Sequence, residues 1–323
     1  MMATFGDMWH TIRNADGSWQ PSYGLVEGQE ENNPGPFLTA ACAAVGDSLH
    51  VVGLTTPAEQ MWHTIRNPDG TWQPSYGLVE GQEQNDPGGF IAVACAGYGG
   101  DLYVIGLTAL ARQLWYTVRN ADGTWQPNYL PLTNDGPFWS VGCAFIGSQL
   151  HVVALTETTG QMWYTNYDIG TGVLSPWEIL ENGSLNNPAP FFTVGCTAIF
   201  GDSLLVVANC ADSSGVWRTT RYNDQTWQPC YIQVEEGQSA GTFNSVSCAA
   251  TSDTTHVLGV NGVDSGGSQW YAARHPDGSI WQPYWVLVES QEQNNPGPFG
   301  SIAAAAVGEA VQVVGITSTP AEG

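Results

Sequence analysis

The chain of 323 residues contains no lysine and few charged residues of any kind. Asp, Glu and Arg together make up 11% of the sequence, and 30 acidic residues against seven arginines give a formal net charge of −23. A surface this acidic repels the phosphates of nucleic acids and of anionic membranes, and it keeps a protein soluble. The composition therefore argues against a nucleic-acid-binding protein.

The sequence also lacks targeting and membrane-spanning segments. No hydrophobic run reaches the roughly 18 residues that a transmembrane helix needs. The first residues, MMATFGDMWH, lack the basic flank and apolar core of a signal peptide. We therefore expect no membrane insertion and synthesis in the cytoplasm, with release from the cell by lysis or another route left open.

Metal-site spacings are missing as well, since no CxxC or HxxxH pattern occurs. We expect no metal and no cofactor. Five of the seven cysteines take one position of a repeat, which is typical of small buried apolar side chains; they are Cys42, Cys95, Cys143, Cys196 and Cys248. The odd total and the missing signal peptide argue against a disulfide between the other two, Cys210 and Cys230.

The sequence does contain an internal repeat. Met8–Phe37 and Met61–Phe90 are nearly identical, and the leading tryptophan of this segment recurs at spacings of 53, 53, 48, 54 and 53 residues. We number the copies as units 1 to 6 by this residue, in the order Trp9, Trp62, Trp115, Trp163, Trp217 and Trp270. A period near 50 residues is typical of a propeller or a solenoid.

Every unit contains four short segments with strand composition and none with a helical apolar stripe. In unit 2 they read FLTAACAAV, SLHVVGLT, MWHTIRN and WQPSYGLVE. The first is rich in Ala and Cys, as suits an innermost strand beside a central channel. This pattern predicts an all-β six-bladed β-propeller with four antiparallel strands per blade.

The two ends of the chain predict how the ring closes. The N-terminus begins at the third strand of a blade, and residues 301–318 supply strands one and two. The ends would then share one blade, which leaves no exposed sheet edge. We expect residues 1–323 to form a single domain of six tandem repeats.

Five of the seven arginines stand four residues after a leading tryptophan, just before a polar turn. In unit 2 the turn Asn67-Pro68-Asp69-Gly70 favours a hairpin with a glycine bulge. The predicted register places Arg66 opposite Trp72 and Trp62 opposite Tyr76. Alternation along the strands then puts these side chains on one face.

The same combination of arginine, tryptophan and second aromatic recurs in other units. The predicted sets are Arg13, Trp19 and Tyr23; Arg66, Trp72 and Tyr76; Arg119, Trp125 and Tyr129; Arg221, Trp227 and Tyr231; and Arg274, Trp281 and Trp285. Carboxylates follow the second tryptophan by eight residues at Glu27, Glu80, Glu235 and Glu289. Unit 4 departs from the pattern, with Tyr167 in place of the arginine, Glu181 in place of the second aromatic, and Trp177 without its Gln-Pro.

These residue types suit the recognition of a sugar. Aromatic rings stack on the apolar C–H face of a sugar, while arginine and carboxylate groups bind its hydroxyls. The pattern predicts about five equivalent shallow sites. Other interpretations stay open: the leading tryptophans favour a core role, the second tryptophans fit core or ligand contact equally, and the carboxylates can be solvated loop charges.

The unit sequence resembles that of the Photorhabdus-type bacterial propeller lectins. The MWHTIR strand, the DGSW or DGTW turn, the Gly-Gln crossover, and the ACA and LHVVGLT strands carry the resemblance, which covers essentially the whole chain. It implies binding of L-fucose and O-methylated sugars at several shallow sites. That family has seven blades, whereas six units match the fungal fucose-binding and tectonin-type propeller lectins.

Two other classes of protein were compared with this pattern. A sialidase needs three arginines that converge on one carboxylate, whereas repetition spreads the arginines here. Two acidic loops could still form the carboxylate pair of a glycosidase. The Trp-Asp and double-Gly signatures of protein-interaction propellers are absent. We expect a glycan-binding protein that is not an enzyme, with a protein scaffold as the alternative and homo-oligomer formation left open.

Overall fold

In a computed structural model the structure describes residues 4–26, 32–79, 85–132, 136–180, 188, 190–210, 215–234, 242–262, 266–274, 285–288 and 294–319. All helices and strands assigned in these ranges are β-strands. No helix in the described part of the chain is long and apolar enough to cross a membrane.

The strands follow one another along the chain with similar lengths in every unit. The first half contains β1 (Thr4–Arg13), β2 (Gly24–Leu25), β3 (Phe37–Val45), β4 (Ser48–Thr55), β5 (Met61–Arg66), β6 (Gly77–Leu78), β7 (Phe90–Tyr98), β8 (Asp101–Thr108), β9 (Leu114–Arg119), β10 (Leu130–Pro131), β11 (Phe138–Ile146) and β12 (Gln149–Thr156). The second half contains β13 (Met162–Asp168), β14 (Val173–Leu174), β15 (Glu178–Ile179), β16 (Phe191–Ile199), β17 (Ser203–Cys210), β18 (Val216–Arg221), β19 (Ile232–Gln233), β20 (Phe243–Ala250), β21 (Thr255–Asn261), β22 (Gln269–Arg274), β23 (Val286–Leu287), β24 (Phe299–Val307) and β25 (Ala310–Thr319).

An antiparallel group of strands surrounds each leading tryptophan, which lies on the third strand of its group. Unit 2 has the order β3-β4-β5-β6, and units 3, 5 and 6 repeat it with β7 to β10, β16 to β19 and β20 to β23. In unit 4 both β14 and β15 pair with β13. In unit 1, β24 and β25 precede β1, and β1 pairs with β25 from Met8↔Ile316 to Arg13↔Val311. One further pair, Gly6↔Phe37, links β1 to β3, so these two units form one eight-stranded sheet.

The first strands pack side by side around a central cavity. β3 packs on β7, β7 on β11, β11 on β16, β16 on β20, β20 on β24, and β24 on β3, which closes a ring. These strands line a cavity of about 430 Å³. Small side chains are needed here, because a Cβ on Gly97 would collide with the carbonyl oxygen of Ala44 on the neighbouring strand. The expectation of an innermost strand with small residues is confirmed.

The apolar core lies between neighbouring groups. One cluster joins Val52, Leu54 and Met61 of unit 2 to Phe90 and Val104 of unit 3, all of them fully buried. All seven cysteines are free, and burial raises the pKa of the Cys143 thiol to about 12. Sheets arranged around a channel, each packed on the next, are a β-propeller, so the predicted all-β propeller arrangement is confirmed.

The register between the third and fourth strands is only partly as predicted. Arg66 lies opposite Trp72, as expected, but Trp62 pairs with Leu78 and not with Tyr76. The extra residues form a bend after Gln73, whose side-chain amide donates to the carbonyl oxygens of His63 at 3.1 Å and Ser75 at 2.6 Å. The prediction failed because it assumed continuous pairing through Pro74, which has no amide hydrogen to donate.

Candidate functional site

The turn between the third and fourth strands fixes the position of each arginine. In unit 2 the Asp69 carboxylate accepts hydrogen bonds from the Thr71 amide at 2.9 Å and from its hydroxyl at 2.7 Å. Gly70 has a φ of 90°, and a Cβ there would lie 3.1 Å from Nη2 of Arg66. A glycine is therefore needed both for the left-handed backbone and for the guanidinium that lies against it. Units 1 and 3 repeat this arrangement at Gly17 and Gly123.

Each arginine head points towards the preceding unit. The guanidinium carbon of Arg13 lies 4.7 Å from the centre of the Tyr271 ring, and that of Arg221 lies 5.1 Å from the Tyr164 ring. These separations are typical of cation–π contacts. The arginine site is thus a junction between two units and not a feature of one unit.

The residue that meets the arginine directly follows a leading tryptophan. Around the chain these residues are His10, His63, Tyr116, Tyr164, Arg218 and Tyr271. The sequence analysis did not single them out, because spacing within one unit does not reveal which face meets the next unit. Their shared position and their restriction to His, Tyr and Arg were the available signal.

The second tryptophan of each regular unit contacts the same residue edge to face. Trp19 meets Tyr271 at 5.6 Å between ring centres, and Trp227 meets Tyr164 at 5.1 Å. Trp72 meets His10 and Trp125 meets His63 in the same manner. Trp72 is 8% exposed, and the other three rings are half-buried. An arginine and a tryptophan from one unit thus enclose a ring from the preceding unit.

The second aromatics lie in the core. Tyr23, Tyr76, Tyr129, Tyr231 and Trp285 are between 1% and 6% exposed. Each packs on the phenylalanine that begins the first strand of its own unit, as in the Phe37–Tyr76 pair at 5.6 Å. Asn32 of the preceding crossover holds the backbone of Tyr76, accepting from its amide at 2.7 Å and donating to its carbonyl at 3.2 Å. The expectation that these rings contact a ligand is corrected, because packing covers them.

Several predicted site residues cannot be placed. Glu27, Glu80, Glu235, Glu289 and Trp281 lie outside the described residues. In unit 1 the described neighbour Val26 donates its amide to Met8, at the end of β1 remote from Arg13. Five residues of strand separate Met8 from Arg13, which corresponds to about 16 Å.

Unit 4 forms its junction without an arginine. Tyr167 takes the arginine position, and its hydroxyl lies 3.3 Å from that of Tyr116 in unit 3. Trp177 packs on Phe138 at 5.3 Å, which is the place of the second aromatic in other units. The predicted alignment of Trp177 with the second tryptophan, and of Glu181 with the second aromatic, is therefore wrong. The longer hairpin that contains β14 displaced the alignment.

Buried histidines hold several of the junction rings in place. His50 lies 3.0 Å from His63, His10 bonds Gln312 at 2.8 Å, and His151 bonds the hydroxyl of Tyr164 at 2.8 Å. Burial lowers the pKa of His10 to about 3 and those of His50 and His151 to about 4, with nearby arginines adding to the effect. These imidazoles are therefore neutral near pH 7. The described residues contain no cluster of His, Cys, Asp and Glu suited to a metal ion.

Comparison with known proteins gives a likeness of fold. No protein-family model and no curated protein matches the chain. AofleA from Arthrobotrys oligospora superposes with a TM-score of 0.59 at 12% identity, covering 88% of this chain and 79% of that one. The Hadza microbial sialidase Hz136 superposes with a TM-score of 0.57 at 11% identity over 87% of this chain. The chain spans only 65% of the length of that sialidase.

Proposed function

We propose that this protein is a multivalent carbohydrate-binding lectin whose sugar sites lie at the junctions between units. The observation that carries the proposal is the repetition of one arrangement, in which an arginine and a tryptophan enclose a ring of the preceding unit. Repetition suits several equal sites for a small ligand, whereas a protein partner selects different residues on each unit. The sequence resemblance to propeller lectins supports the same conclusion.

The blade count belongs to this proposal. We take the eight-stranded sheet as two blades, because only Gly6↔Phe37 joins its two halves. The chain is then a six-bladed propeller in a single domain of residues 1–323, and β1 and β2 complete the blade begun by β24 and β25. Five of its junctions contain an arginine at the repeated position, namely Arg13, Arg66, Arg119, Arg221 and Arg274.

The chemistry of a junction fits a neutral sugar of low polarity. A guanidinium donates several hydrogen bonds in one plane to ring and hydroxyl oxygens. The edge of the tryptophan gives an apolar contact for C–H groups, such as the methyl of fucose or of an O-methyl sugar. Glu27, Glu80, Glu235 and Glu289 remain the proposed acceptors for hydroxyl protons.

Multivalency compensates for weak single sites. A shallow site buries few atoms of a well-hydrated sugar, so each junction binds weakly. Several sites on one rigid ring gain about 10²–10⁴ in avidity on a surface that displays many copies of the sugar.

An enzyme is the second candidate, since Hz136, one of the neighbours in fold, is named a sialidase. That likeness concerns the fold alone at 11% identity. AofleA is also represented by a variant with three arginines replaced by alanine, which directs attention to repeated arginines in this arrangement. The arginines of this chain stand at separate junctions, which favours binding over a single catalytic centre.

A glycan array with the purified full chain tests the proposal. We expect binding to glycans with one type of terminal sugar, fucosylated or O-methylated, and competition by the free monosaccharide. The same protein is assayed for hydrolysis of a fluorogenic sialoside and of aryl glycosides. A blank array with folded protein contradicts the lectin function and favours a protein scaffold, whereas turnover of a glycoside favours an enzyme.

A further inference from the structure

The junction between units 5 and 6 differs from the others in its charge. Arg218 takes the position of the enclosed ring, and Arg274 is the arginine of the following unit. Both line one cavity of about 360 Å³ between the two units, so two of the seven arginines of this acidic chain face the same space. The remaining walls include the hydroxyls of Thr220 and Thr255 and the amide of Gln228.

Arg218 is buried, with 7% of its surface exposed. Burial lowers its pKa to about 10, and the positive charge of Arg274 lowers it further. Two like charges in a partly desolvated space repel each other, and a bound anion relieves that repulsion. The strand-two residue beside the junction also differs, since Leu205 stands where units 2, 4 and 6 have a histidine.

An aromatic side chain in a strained backbone stands at the mouth of the same cavity. Phe200 begins the turn after β16 with a φ of 54°, where four other units have glycine with φ between 55° and 61°. A phenylalanine in this left-handed conformation costs on the order of 1 kcal/mol or more. The ring is nevertheless 57% exposed and lines the cavity together with Tyr222, which is 42% exposed. Exposure without packing indicates that the ring is kept for a contact outside the fold.

We propose that this junction binds an acidic sugar, with the carboxylate held by Arg218 and Arg274 and the C–H face of the ring placed on Phe200 and Tyr222. A guanidinium binds a carboxylate through two parallel hydrogen bonds, and the hydroxyls of Thr220 and Thr255 face the remaining polar groups. This inference deepens the lectin function and rests on it for the sugar. One junction would then select charged glycans while the others select neutral ones.

Titration calorimetry of the full chain with methyl glucuronoside tests the inference. The methyl ester of the same compound and inorganic sulfate serve as probes of the carboxylate and of simple anion binding. We expect one equivalent of glucuronoside per chain and an affinity at least tenfold lower for the methyl ester. Equal binding of acid and ester overturns the proposal, and so does sulfate that binds as tightly as the glucuronoside.

Matched variants locate the site. Arg218→Tyr copies the residue that units 4 and 6 have at this position, and we expect it to weaken glucuronoside binding at least tenfold. Arg112→Gln removes the same charge far from the junction, where Arg112 pairs with Glu157 at 3.5 Å, and we expect it to retain binding. Binding that survives Arg218→Tyr, or that is lost equally in Arg112→Gln, contradicts the assignment.

Phe200→Gly gives a readout that does not depend on a destabilised fold. Glycine relieves the left-handed strain, so we expect an unchanged or higher melting temperature together with at least fivefold weaker glucuronoside binding. Unchanged binding removes Phe200 from the site. If neutral glycans bind on the array and glucuronoside does not, this inference fails while the lectin function stands. If no sugar of either kind binds, the lectin function itself fails.

Discussion

Two junctions of this molecule have the same backbone and different chemistry. Between units 4 and 5, Arg221 lies 5.1 Å above the ring of Tyr164, and Trp227 meets that ring edge to face. Between units 3 and 4, Tyr167 takes the place of the arginine and its hydroxyl contacts Tyr116 at 3.3 Å. Neighbouring units thus pack with or without the guanidinium. The packing of the fold does not account for the repeated arginines, which is why we assign them to ligand binding.

The largest effect is expected where both kinds of unit agree. Phe90 packs on Tyr129 in unit 3, and Phe138 packs on Trp177 in unit 4, with both phenylalanines at most 1% exposed. We expect Phe90→Ala and Phe138→Ala each to lower the free energy of unfolding by about 3–5 kcal/mol. Urea denaturation measures the loss. A change below about 1 kcal/mol in one variant would show that the two units do not share this core.

Acid is expected to weaken both kinds of unit through their buried histidines. The pKa values of His50 and His151 are lowered to about 4 in the fold, below the value near 6.5 of the unfolded chain. The unfolded chain then binds more protons between these values, so the free energy of unfolding falls as the pH drops below about 6.5. Each such histidine contributes up to about 1.4 kcal/mol per pH unit.

Urea unfolding between about pH 7 and about pH 5 measures this slope. His151→Gln copies the glutamine that unit 1 has at the same position, Gln312, and removes one titrating group. We expect a shallower pH dependence in this variant. An unaltered slope would mean that His151 does not remain neutral in the fold.

Removal of one arginine is expected to affect binding more than stability. Arg66→Ala removes one guanidinium, so one sugar equivalent disappears from the titration, while the loss of a partly exposed arginine contact costs about 0.5–1 kcal/mol. Tyr167→Phe in unit 4 serves as the control and keeps the full count of equivalents. A count that drops in both variants, or in neither, breaks the distinction between the two junctions.

Conversion of the unit 4 junction is expected to have the smallest effect. Tyr167→Arg places a guanidinium near the ring of Tyr116 and changes the free energy of unfolding by less than about 1 kcal/mol. We expect no additional sugar equivalent, because Trp177 packs in the core and unit 4 lacks the second tryptophan of the site. An added equivalent would show that the arginine suffices without that tryptophan.

The repeat itself made the propeller arrangement predictable, since period, strand composition and small innermost residues all agree. The Arg66–Trp72 pair was predictable as well, because the turn between them has a specific sequence. The Trp62–Tyr76 pair was not, because the bend after Gln73 leaves no periodic signal. The partners across junctions, such as Tyr271 for Arg13, were missed because contacts between units have no fixed sequence spacing.

The number of sugar equivalents bound per chain tests the central claim most directly. Titration calorimetry of the wild-type chain with the monosaccharide identified on the array counts the occupied junctions. The account predicts several equivalents of similar affinity, up to about five, in keeping with repeated junctions on one ring. A single equivalent per chain, unaffected by Arg66→Ala, would contradict it.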